Sequence, residues 1–215
     1  MKYFYLLLFI FQIYPLAQEL SYNNPIIPGS YPDPSICRVG NDYYIVNSSF
    51  EYFPGLPIHH SKDLVNWELI GHGLHREEQC NGDMNLVDVQ SDGGIHAPTI
   101  RYNKGTFYII TTNVYNKGDG SPGQMVNFII TAKDAGGPWS DPHIIEGAPG
   151  IDPDIFFDTN GKVYFTGTHS PADMNANGIG EIWIQELDLK NWKLKGERKT
   201  VWVGVFGCCT EGPHI

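Results

Sequence analysis

Apolar and polar positions alternate with a period of two through much of this chain, in short runs closed by turns rich in Gly and Asn. Three stretches show it best. "DPSICRVGNDYYIV" starts at Asp33, "APTIRYNKGTFYII" at Ala97 and "DPDIFFDTNGKVYF" at Asp152. Each reads x-P-x-I, then a turn at Gly40-Asn41, Lys104-Gly105 or Asn160-Gly161. Each then continues with Tyr or Phe mixed with β-branched residues. Alternation on both sides of such a turn predicts a β-hairpin. A second mark follows each hairpin: "SKDLVNW" ends at Trp67, "AKDAGGPW" at Trp139 and "ELDLKNW" at Trp192. An Asp-containing turn leads to a Trp and then to another strand, so each unit holds about four strands.

The unit prolines are Pro34, Pro98 and Pro153, separated by 64 and 55 residues. Four-stranded units at that period predict an all-β propeller, each unit a blade. A blade cannot bury both faces alone; it stacks on its neighbours, with its first strand along the central axis. A β-sandwich with chance similarity is the alternative, and a threefold match in two separate marks argues against it. "GPHI" also reads x-P-x-I, with Pro213 lying 60 residues after Pro153. It marks the start of a fourth blade, and the chain ends at Ile215. The expectation is therefore an incomplete propeller over residues 24–215, about three blades plus the start of a fourth.

Composition agrees with tight turns and a sizeable core. The 215 residues include 24 Gly and 15 Pro; aromatics make up 13% and charged residues only 18%. These values exclude a disordered chain or a coiled coil. The formal net charge of -10 repels phosphate backbones, so no nucleic-acid partner is expected. The N-terminus, "MKYFYLLLFIFQIYPLAQELS", has one early Lys and an apolar run from Tyr3 to Tyr14. That run is short of the ~20 residues of a membrane span. It reads as a signal peptide over residues 1–17, which makes the mature protein secreted or periplasmic, with no membrane partner after cleavage. An uncleaved anchor is the alternative. The four cysteines, Cys37, Cys80, Cys208 and Cys209, contain no C-x-x-C pair, so no zinc site is expected. Buried or free thiols are the simplest reading of them.

The repeat brings carboxylates to related places. Asp33 precedes Pro34, Asp152 precedes Pro153, and Glu211 sits two before Pro213; blade two carries His96 and Ala97 there instead. Inner strands converge at the axis, so these groups can share one pocket. Like charges in one pocket push their pKa values apart, as glycoside hydrolysis by a base and an acid requires. Alone, each Asp-Pro reads equally well as a turn dipeptide. Asp63, Asp154 and Asp158 are expected in turns or on the surface.

The segments "PGSYPDPSI", "FEYFPGLPIHHSKDLVNWELIGH", "HAPTIRY", "GIDPDIFFD" and "EGPHI" resemble glycoside hydrolase family 43, in its β-xylosidase and α-L-arabinofuranosidase-like members. The resemblance runs from about Asn24 to Ile215. It implies a five-bladed propeller, of which this chain would be an N-terminal fragment. It implies an inverting, exo-acting hydrolase of xylose- or arabinose-containing oligo- or polysaccharides. By resemblance Asp33 is the general base, Glu211 the general acid, and Asp152 the group that orients the acid and raises its pKa. Phe53, Phe50 and Tyr31 are candidate walls of the sugar subsite. His96 stands where many members carry Trp, and could contact sugar hydroxyls. No cofactor is required and no metal ligand is assigned in this chain; a structural Ca²⁺ in the axial channel belongs to the expectation for the full-length protein. A non-catalytic sugar-binding propeller and a retaining, invertase-like glycosidase are the competing functions.

Overall fold

A computed structural model describes residues 21–84, 86, 89–115, 123–169, 180–204 and 210–215. The expected signal peptide, Cys208 and Cys209 lie outside the described residues. Among the described residues, twelve strands form three antiparallel four-stranded sheets, each a meander in chain order. Blade one is β1 (Ser35–Val39), β2 (Asp42–Val46), β3 (Gly55–Ser61) and β4 (Glu68–Leu74). Blade two is β5 (Gly94–Asn103), β6 (Thr106–Tyr115), β7 (Gln124–Ala132) and β8 (His143–Ile144). Blade three is β9 (Ile151–Phe157), β10 (Val163–His169), β11 (Glu181–Asp188) and β12 (Lys193–Trp202). Two short 3-10 turns, Glu77–Cys80 and Gly82–Met84, lie between blades one and two. The blades form an open, incomplete propeller. Among the described residues no helix is long and apolar enough to cross a membrane.

Local chemistry sets the turns. Lys104 and Gly105 both have positive φ, 47° and 79°, between the paired Asn103 and Thr106. That is the backbone of a two-residue turn whose twist matches the strands it joins. The repeated Asp of the second mark closes a turn in every blade. Asp63 Oδ1 accepts from the N–H groups of Val65 and Asn66 at 2.9 and 2.7 Å. Asp134 Oδ1 accepts from Gly136 at 2.8 Å, and Asp188 Oδ1 from Lys190 at 3.0 Å. These bonds favour the charged form. The backbone N–H of Asn66 does most to hold Asp63 below its usual range, and the side chain of Asn191 most to lower Asp188, to about 2.

The core lies between blades. Leu56, Ile58, Leu74, Ile100, Ile109, Phe128 and Trp139 fill the space between blades one and two. Ile110, Ile129, Ile155, Phe165 and Trp183 fill the space between blades two and three. Neighbours along β6, Ile109 and Ile110, thus serve opposite cores, and all of Ile109, Ile110, Ile129 and Ile130 are fully buried. A sheet covered on both faces reads as a continuous apolar run rather than an alternation. The outer strand β12, by contrast, is exposed along nearly its whole length. Cys37 and Cys80 are free thiols, half-buried against the first core, where burial pushes both pKa values up.

Candidate active site

The x-Pro dipeptide of the repeat is a β-bulge. On β5, three steps from His96 to Thr99 face two steps from Thr112 to Ile110. On β9, three steps from Ile151 to Asp154 face two from Thr168 to Thr166. Ahead of β1, the Pro32 carbonyl accepts from Ser48 N–H at 3.1 Å while Ser35 pairs with Val46, the same offset again. Proline has no N–H to give a ladder and is tolerated at a bulge. The residue before it adopts a left-handed backbone: φ is 50° at Asp33, 41° at Ala97 and 54° at Asp152. Gly212, before Pro213, has φ 62°. Bulges re-aim side chains, and strained non-Gly residues collect at functional sites. Here the bulges turn Asp33 and Asp152 out of their sheets toward the axis. In this register Glu211 matches His96, one residue ahead of the left-handed position.

The three carboxylates meet. A cleft of about 520 Å³ is lined by Asp33, Phe50, His96, Asp152, Glu211 and His214, among others. The sequence-predicted Phe50 and His96 belong to this lining and pack edge to face, with ring centroids 4.9 Å apart. Phe53 and Tyr31 are not among the lining residues. Phe53 is 49% exposed on the surface after β2. Tyr31 packs its ring edge-on against buried His59 at 4.7 Å.

Each carboxylate has distinct surroundings. Asp33 is exposed to the cleft, and the Ser48 hydroxyl donates to its Oδ2 at 2.6 Å. Ser48 Oγ in turn accepts from the Ala97 N–H at 2.7 Å, so one hydroxyl fixes Asp33 and ties blade one to the bulge of blade two. Asp152 is half-buried, and its Oδ2 accepts from the Gly212 N–H at 3.0 Å. Burial pushes the Asp152 carboxyl above its ordinary value, and the charges of Glu211 and Asp33 push the same way. The Gly212 bond and His96 oppose that shift. Glu211 follows Thr210, whose carbonyl accepts from the buried Thr168 hydroxyl. His96 places its Nδ1 3.0 Å from the Gly94 carbonyl. A carbonyl only accepts, so Nδ1 is the donor and Nε2 is left for other contacts.

Asp154 overturns its expectation. It is fully buried on β9, not in a turn, and its Oδ2 lies 2.7 Å from Arg101 Nη2 of β5. Period-two reading missed it because a charge at a buried position looks like an ordinary surface residue of a strand. Ser48 was missed too: nothing in the pattern marks a loop serine as a partner of Asp33. Asp63 and Asp158 do lie in turns.

Among the described residues no group of three or more His, Cys, Asp or Glu side chains is arranged to hold a metal ion. The axial Ca²⁺ implied by resemblance belongs to the expectation for the full-length protein, and no step below uses one.

The model of Glycosyl hydrolases family 43 matches residues 22–215. This chain belongs to that family. A xylosidase/arabinosidase of Butyrivibrio fibrisolvens is 50% identical over 90% of this chain and 36% of its own length. A non-reducing end alpha-L-arabinofuranosidase of Bacteroides ovatus is 45% identical over 93% of this chain and 34% of its own. In structure, the chain is similar to a xylan beta-1,4-xylosidase from Bacillus halodurans. The TM-score there is 0.76 at 38% identity, covering 90% of this chain and 36% of that one. The chain thus spans little more than a third of the length of these family 43 relatives. The solved neighbours and the three stacked blades agree on the incomplete propeller.

Proposed function

We propose that the protein containing this chain is an inverting, exo-acting glycoside hydrolase of xylose- or arabinose-containing chains. One observation carries this reading: carboxylates from the starts of two blades and from segment 210–215 converge on one cleft. Asp33, held by Ser48 and open to the cleft, takes a proton from water. That water attacks the anomeric carbon from the face opposite the leaving group. Glu211 gives a proton to the departing oxygen. Asp152 holds the backbone beside Glu211 through Gly212 and places a second carboxyl near the acid. The inverting route needs the base and acid carboxyls about 6.5–9.5 Å apart, with room for the water. Phe50 offers an apolar face to a sugar ring, and His96 Nε2 a polar contact to a hydroxyl. The names of the relatives, which include both xylosidase and arabinofuranosidase, support the substrate class.

The test is hydrolysis of aryl β-xyloside and aryl α-L-arabinofuranoside by the whole protein, with proton NMR of the first-formed sugar. The expected product has the anomeric configuration opposite to the substrate. A retained configuration overturns inversion. Full activity of Glu211→Ala overturns catalysis at this cleft.

A further inference from the structure

Two carboxylates of β9 grip the segment that carries Glu211, and only one of them lines the cleft. Asp152 takes the Gly212 N–H. Asp154, outside the cleft lining, takes the Ile215 N–H on Oδ2 at 2.9 Å. The same oxygen takes Arg101 Nη2 at 2.7 Å. Arg101 Nη2 also lies 3.4 Å from His214 Nδ1. The same ring nitrogen lies 3.7 Å from Asp154 Oδ2. Segment 211–215 is thereby held at Gly212, His214 and Ile215 by groups from β5 and β9.

The pair is a poor device for stability alone. Asp154 is fully buried, and its Oδ1 has no hydrogen-bond partner among the described residues. A buried charge with an idle oxygen keeps much of its desolvation cost, and apolar replacements of such pairs are often neutral or stabilising. What the pair does accomplish is geometric. It links blade two, blade three and the acid segment through one oxygen atom.

We propose that Arg101 and Asp154 are positioning residues for Glu211, setting where its carboxyl meets the departing oxygen. The inference rests on the reading of Glu211 as general acid. A misplacement of ~1 Å in such a group can cost ~10²-fold in rate.

The test uses the whole protein and aryl glycosides whose leaving phenols range from 2,4-dinitrophenol to phenol. A stable phenolate departs without a proton, so a misplaced acid is felt only with poor leaving groups. Asp154→Asn keeps one acceptor oxygen, turns the other into a donor and removes the charge; Arg101→Lys keeps the charge but loses the fork. Each is expected to lose about 10²-fold in kcat on the phenyl glycoside and less than about threefold on the dinitrophenyl one, with KM little changed. Equal losses on both substrates overturn the proposal. Should Asp154→Asn fail to fold, Arg101→Lys decides alone. Glu211→Ala serves as the reference. If it shows no leaving-group dependence, the acid assignment itself fails. If it shows that dependence and Arg101→Lys does not, only the positioning role fails.

Discussion

Asp33 and Asp152 share a dipeptide, a bulge and a left-handed backbone, yet their carboxyls live in different surroundings. Asp33 is exposed and braced by the hydroxyl of Ser48 from its own blade. Asp152 is half-buried, holds a backbone N–H of segment 210–215 and has its carboxyl pushed upward. The bulge aims both side chains at the axis. What surrounds each one then differs: a water-facing carboxyl held by a hydroxyl in one case, a desolvated carboxyl beside Glu211 in the other. Ala97 is the third instance of the same backbone and carries no carboxylate, so it isolates the cost of the bulge from its use.

The largest effect is expected at Asp33. Asp33→Ala removes the proposed base and should lower kcat/KM about 10⁴-fold, equally for good and poor leaving groups. A loss of less than about tenfold would erase the distinction between the two aspartates. Asp152→Asn comes next, with activity down about 10²-fold. Its effect on stability should be opposite in sign. A carboxyl whose folded pKa is raised is stabilising when protonated, below its unfolded value near 3.8. That contribution is lost as pH rises through the folded value. Asp152→Asn should therefore unfold at a higher temperature than the parent near pH 7, with the difference vanishing as pH falls below 4. Thermal unfolding at a series of pH values checks this, and a pH-independent difference would contradict it.

Ser48→Ala sharpens the comparison at lower cost. It frees Asp33 Oδ2 and leaves the Ala97 N–H without its acceptor, at about 1–2 kcal/mol of stability. Activity should fall about tenfold with Asp152's pH signature unchanged, which pH–rate profiles would show. The smallest effect is at Ala97. Left-handed backbone costs a non-Gly residue about 1–2 kcal/mol, and Gly gives back roughly half to one of that in chain entropy. Ala97→Gly should thus stabilise by about 0.5–1 kcal/mol in urea unfolding and leave turnover intact. A destabilised variant would mean that the bulge is not strained there.

Much of the fold was legible because the propeller repeats itself. The prolines, the turn glycines and the Asp of the second mark each answer a local backbone need, and local needs recur at readable intervals. The three hairpin turns lie where the alternation breaks. The convergence of Asp33 and Asp152 on one cleft was legible for the same reason: they occupy one position of the repeat. Where the repeat falls silent, reading failed. Ser48 lies between β2 and β3, with no equivalent mark in the other blades. Asp154 looked like a surface charge beside Pro153, and its burial depends on Arg101, 53 residues earlier. Phe53, placed by resemblance near the sugar, sits exposed and outside the cleft lining.

The sequence by itself determined the blades, their order and the x-Pro starts, because turn chemistry and strand periodicity act within a few residues. It also brought the acidic residues into register. Only the tertiary structure decided which carboxyl is exposed, which is desolvated, and which is locked to an arginine. Burial and pairing are properties of what lies opposite: Ser48 for Asp33, the Gly212 N–H for Asp152, and Arg101 of the neighbouring blade for Asp154.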